Sequence, residues 1–243
     1  MRAMLCLGMG LSMLASSACA GAPALPLALA AARNAVATVR QLLAQSHAVD
    51  ERGADGLTAL MWAARTGAVD AMRALLDAGA DPNAVDARNG WTPLLHAIHK
   101  RRVDAVRLLL ERGANPNQRA AMATPLLMAA SDPDPAIVQL LLDRGADPTV
   151  RGTGGSTALS EAVSGGALSD IDHPLFGGCH PATVRALKQH DPKLDLPDTI
   201  AGWNALWWAR FHGCAEVLSL VGARSGKRAE GTGQGSQGKG HDD

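Results

Sequence analysis

The sequence predicts an all-α solenoid of about six helix-turn-helix units with short β-turn connections, and three observations predict it. Thr-Pro-Leu-Leu occurs at 92–95 and again at 124–127, with looser copies at Thr58-Ala59-Leu60, Thr157-Ala158-Leu159 and Asn204-Ala205-Leu206. Successive starts lie 34, 32, 33 and 47 residues apart, a period that marks a stack of one supersecondary unit rather than a single closed core. Composition agrees: hydrophobic residues reach 47% but aromatics only 3%, with no Tyr, which suits short Ala- and Leu-rich helices in close contact.

Each unit follows one order. A turn containing Gly (Gly56, Gly90, Gly155, Gly202) precedes a Thr or Asn able to accept a backbone N–H bond at a helix start. A brief first helix is expected over 60–65, 94–100 and 126–131, with Pro93 and Pro125 in the first turn, where a missing N–H costs nothing. The second helix is expected over 69–77, 103–111 and 136–143; Val103, Val106, Leu109 and Leu110 show its spacing. Gly79, Gly113 and Gly145 stop it in the left-handed conformation. Ala80-Asp81-Pro82, Ala114-Asn115-Pro116 and Ala146-Asp147-Pro148 follow, and the prolines forbid continuation.

Thr-Pro-Leu, then Ala-Ala, then Leu-Leu-Leu-Asp/Glu-x-Gly-Ala-Asp/Asn resembles the ankyrin repeat, over residues 25–224. The resemblance implies units near 25–55, 56–89, 90–122, 123–154, 155–201 and 202–224. Three places depart from the pattern. The fifth unit carries an insert at 167–178 between its helices, Arg101 stands where a joining Gly is usual, and Asp132-Pro133-Asp134-Pro135 replaces the next joint.

The ends differ from the body. Residues 1–20 read as an export signal: Arg2, an apolar run over 3–15, then Ala18-Cys19-Ala20 before Gly21. The run is too short for a comfortable membrane span. Lipidation at Cys19 is the alternative, with Ser16 where that motif usually has Leu. The expected location is the periplasm, the alternatives being the outer membrane as a lipoprotein or the medium. Residues 225–243 have nothing to bury and are expected to be a disordered tail.

Cys6 and Cys19 fall in the signal, which leaves Cys179 and Cys214 as a candidate disulfide under oxidising conditions. Two other readings stay open: unpaired apolar fillers, or a zinc- or redox-responsive set with His180 and His212. No cofactor is expected. His96 and His99 lack further ligands and read as ordinary helix-surface histidines. The Gly152-x-Gly154-Gly155 run lacks the Lys of a phosphate loop, and no nucleophile elbow occurs. No catalysis is expected, and a formal net charge of +0 favours neither nucleic acid nor an anionic membrane.

Protein binding remains. The resemblance implies a concave face lined by first helices and turn tips, with Arg65, Thr66, His99, Lys100, Ser131, Asp132, Phe211 and His212 outward. Trp91 and Trp207 are expected to contact a partner, since Trp and Arg dominate binding hot spots, while Trp62 and Trp208 are assigned to the core. Lys100-Arg101-Arg102 is the one basic cluster, either a site for an acidic partner or a solvated helix end. The insert, with Ile171, Leu175 and Phe176, is a second candidate contact element, and a monomer is expected.

Overall fold

The computed structural model describes residues 26–45, 47–120, 124–165, 178–196 and 204–222. The segment expected to be an export signal, with Cys19, and nearly all of the insert, Trp203 and the expected tail lie outside the described residues. Among the described residues there are twelve α-helices and no strand. They come in pairs: α1 (Pro26–Ala32) with α2 (Val36–Ala44), α3 (Ala59–Thr66) with α4 (Val69–Asp77), and α5 (Pro93–His99) with α6 (Val103–Glu111). The pairs α7 (Pro125–Ala130) with α8 (Ala136–Asp143), α9 (Ala158–Ser164) with α10 (Pro181–His190) and α11 (Ala205–Phe211) with α12 (Ala215–Leu220) continue the series. First helices pack on first helices and second on second, so two parallel rows run the length of the stack. No helix of the described residues is long and apolar enough to cross a membrane.

The repeated Thr does what its position predicts. Thr58, Thr92, Thr124 and Thr157 accept the N–H of Met61, Leu95, Leu127 and Ser160, at 3.2 to 3.4 Å. Asn204 plays the same part for Trp207 at 3.1 Å. Because the cap residue itself is non-helical, the first helices begin directly after it, slightly earlier than hydrophobic spacing suggested. The second helices Val69–Asp77, Val103–Glu111 and Ala136–Asp143 match the expected ranges.

Burial follows the repeat. Leu60, Leu94 and Leu159 of the first row and Leu75, Leu109, Leu141 and Leu187 of the second are at most 1% exposed. Small residues (Ala63, Ala97, Ala129, Ala162, Ala209) hold the first helices close, which explains a core built with almost no aromatic volume.

Two edges are fastened by hydrogen bonds. At the loops, Asn83 donates to the Gly113 carbonyl and accepts from the Asn115 N–H, at 3.1 and 2.7 Å. Asn117 repeats this with Gly145 and Asp147 at 2.9 and 2.8 Å, and Asp50 accepts from the Asp81 N–H at 3.1 Å. Thr149 stands where a further Asn would continue the ladder, and it bonds to its own turn at Asp147 instead.

At all but the fourth of the joints between paired helices, the chain turns through a left-handed residue. Gly67 and Gly213 supply it at φ 79 and 69, whereas Asn34 and Arg101 adopt it at φ 56 and 55 despite their side chains. Both earn a contact there: Asn34 accepts the Ala71 N–H at 2.8 Å, and Arg101 pairs with Asp132 of the next unit. Thr183 donates to the Asp132 carbonyl at 2.9 Å, extending the fastening into the fifth unit.

Candidate partner-binding face

The first-helix row and its turn tips place two aromatic centres on neighbouring units. On α3, Trp62 is half-buried and packs against the core. Its indole N–H donates to Asp55 at 2.9 Å, and the other Asp55 oxygen accepts the Leu57 N–H, so the turn tip holds the ring. The Arg65 guanidinium lies 5.5 Å from the Trp62 ring centre, within cation–π range. One unit on, the half-buried Trp91 meets the rings of His96 and His99 edge-on at 5.4 and 5.2 Å.

Asp86 sets the tip that carries Trp91. One carboxylate oxygen accepts the N–H groups of Arg88, Asn89 and Gly90, at 3.0, 2.6 and 3.1 Å. The Asp86 N–H donates to the Trp91 carbonyl at 2.8 Å, closing the turn. The second carboxylate oxygen meets His96 Nε2 at 3.1 Å, tying tip to helix. This corrects the sequence reading of His96: it is no surface histidine but 4% exposed, as is Asp86. The sequence carries a sign of it in an Asp four residues before Gly90 and ten before His96, a turn-capping pattern without a His in the neighbouring units.

Burial lowers the pKa of His96, and Arg65 and His99 add to the effect, against the opposing pull of Asp86. His96 is therefore neutral, with its Nε2–H donating to the carboxylate. Burial alone would raise the Asp86 carboxyl, but the Asn89 and Arg88 N–H groups and His96 hold it below the usual carboxylate range. His180, buried with Nδ1 3.4 Å from the Ala130 carbonyl, is also lowered, chiefly by burial. For both histidines the unfolded chain takes up protons that the folded chain refuses. Their contribution is complete above the unfolded value of about 6.5 and is lost as pH falls from there through the lowered folded values. Urea midpoints are accordingly expected to fall between about pH 7.5 and about pH 5.5. An unchanged midpoint in the parent, or an equal fall in a His96→Gln, His180→Gln double variant, would contradict this.

The basic cluster is only partly open to a partner. Arg101 is exposed but paired with Asp132, and Arg102 lies over Gly67 with its Nε 3.5 Å from the Arg65 carbonyl. Lys100 is half-buried at the end of α5 beside His99. The aromatic pair of α11 stands apart from these. Trp207 and Phe211 are 51% and 69% exposed and stack on each other at 5.2 Å in the final unit. Trp208 is half-buried, its ring 4.6 Å from that of His212.

Cys179 and Cys214 form a disulfide, with Cα atoms 6.1 Å apart, and the Cys179 N–H points at Cys214 Sγ at 3.4 Å. The bridge joins the helix joints of the fifth and sixth units. It also removes the thiols that a Cys₂His₂ set would need, while His180 turns to Ala130 and His212 to Trp208. No cluster of three or more metal-ligating side chains occurs among the described residues.

Family models for ankyrin repeats match this architecture: one for three consecutive copies over residues 26–120, one for a single repeat over 123–153. No curated protein matches the chain. The matched residues make up the first four helix pairs, and α9 to α12 carry the same pairing beyond them. With caps, helix pairs and Asn-fastened loops recurring in register over more than half its length, the chain belongs to the ankyrin-repeat family.

Proposed function

We propose that this chain is a non-catalytic scaffold that acts outside the cytoplasm and binds a partner protein on its first-helix face. Ankyrin repeats imply protein partners. The observation that supports this face is the run of Trp62, Arg65, Trp91, His99 and Lys100 over two consecutive units, their rings held by Asp55, Asp86 and His96. Aromatic rings beside Arg are the side chains that concentrate binding energy. Because helices and tips hold them in place, docking loses little ordering entropy.

Export is supported by the pattern of residues 1–20 and by the disulfide, a bond typical of oxidising compartments. The periplasm is the proposed location, with cleavage after Ala20; a lipidated Cys19 would place the chain on the outer membrane instead. Intact mass distinguishes the two, since cleavage leaves an unmodified Gly21.

The binding test is affinity purification from the exported fraction with the parent chain, Trp91→Ala and Lys100→Glu. A specific partner should be retained by the parent, and Trp91→Ala should weaken it about tenfold or more. Equal retention by all three would remove this face from consideration. A redox-responsive role is the second reading, and the Cys179–Cys214 bridge is the observation in its favour. It requires that partner binding change when the bridge is reduced.

A further inference from the structure

A formal net charge of +0 conceals an uneven distribution of charge over the second and third units. At their turn tips the carboxylates are engaged by donors of their own chain. Asp55 accepts the Trp62 indole N–H and the Leu57 N–H, while Asp86 accepts three turn N–H groups and meets His96. The basic groups at the far ends of the same first helices have no such counterpart. Among the described residues no carboxylate pairs with Arg65, Lys100 or Arg102, and Asp132 is taken by Arg101. Arg65 and Arg102 lie together, the Arg102 Nε 3.5 Å from the Arg65 carbonyl, and Lys100 directly follows His99, whose ring meets Trp91. The second-helix row differs. There Arg112 pairs with Asp77, and the exposed Asp70 and Asp104 stand three residues before Arg73 and Arg107, about one helical turn away.

We propose that the partner protein docks through an acidic segment, with Asp or Glu carboxylates against Arg65, Lys100 and Arg102 and an apolar side chain against Trp91. This assignment rests on the first-helix face being the partner-binding surface. An arginine stacked on a ring keeps its charge and its N–H donors, so Arg65 beside Trp62 offers a carboxylate both. A neutral segment would leave the positive excess uncompensated, and a basic one would be repelled. The next unit bounds the patch. At its helix joint the exposed Asp134 follows Asp132, and this negative charge confines the acidic segment to the second and third units.

Selection of random displayed dodecapeptides on the full, oxidised chain tests this. The retained peptides should carry net negative charge, with a large apolar residue among the carboxylates. Labelled copies should bind Lys100→Glu and Arg102→Glu about fivefold or more less tightly than the parent at about 0.15 M salt, and the parent less tightly as salt rises. Lys100→Gln removes the charge without reversing it and should weaken binding less, with the parent's helical circular dichroism kept. The Arg73→Glu, Arg107→Glu double variant alters charge on the exposed second-helix row and should bind like the parent. Neutral or basic peptides that depend on Trp91 would overturn the acidic partner and leave the face standing. Acidic peptides indifferent to both Trp91→Ala and Lys100→Glu would remove the face as well. An empty selection, or equal affinity for a single-stranded oligonucleotide of matching charge, would also overturn the proposal.

Discussion

Replacing Cys179 and Cys214 together by serine is expected to release the last unit from the rest of the stack. The bridge spans 35 residues, and a loop of that size removes about 4 kcal/mol of chain entropy from the unfolded state. Little else holds the end. Helix α12 has six residues and α11 seven, lengths far too short to persist alone, and only Ala205, Ala209, Val217 and Leu218 are fully buried there. A terminal unit has a neighbour on one side alone, so loss of the bridge is felt locally before it is felt globally. Amide exchange in α12 should accelerate by two orders of magnitude or more, with α3 to α6 unaffected. Reductant should reproduce the effect in the parent. Unaltered exchange in α12 would mean that packing, not the bridge, secures the end.

Leu109→Ala is expected to cost about 2–5 kcal/mol, because Leu109 is fully buried on α6 and its removal leaves a cavity that fixed helices cannot close. The stack makes the consequence more than a lower midpoint. Helix α6 packs on α4, α5 and α8, so the weakened place lies between the N-terminal and C-terminal halves. Stability in such a stack is a sum of units and nearest-neighbour interfaces, so one poor interior interface uncouples its two sides. Urea unfolding should broaden or split into two steps. The exposed neighbour Arg107→Ala should shift the midpoint by no more than about 0.5 kcal/mol. A single sharp transition at the parent's midpoint would contradict the account.

Local chemistry made much of this legible in advance. The cap at Thr92, the stop at Gly113 and the helix over 103–111 depend on residues within one or two turns, so sequence order is enough to place them. Counting thiols outside residues 1–20 left Cys179 and Cys214 as a candidate pair beside two other readings, and the bridge is what the structure holds. What escaped was set by contacts between units. His96 looks like any helix histidine until Asp86, ten residues earlier, is seen to lie under it. Arg101 and Arg102 look like two free charges until one meets Asp132 and the other a backbone carbonyl. Trp207 occupies a position whose character depends on whether another unit follows, which no local pattern encodes.

The two fastened edges have a mechanical consequence. The joint edge is tied along its whole length, from Asn34–Ala71 through Arg101–Asp132 and Thr183–Asp132 to the disulfide. Among the described residues the loop ladder ends with the Asp147 N–H on Asn117, since the exposed Thr149 bonds within its own turn to Asp147. Among the described residues beyond that point, the side-chain ties between units are the joint-edge contacts and the Arg185–Glu216 ion pair between α10 and α12. Bending in the last third of the stack should therefore be softest as a fanning open of the loop edge about the joint edge. The curvature of the C-terminal third is then an elastic variable, while that of the first four units is held from both sides.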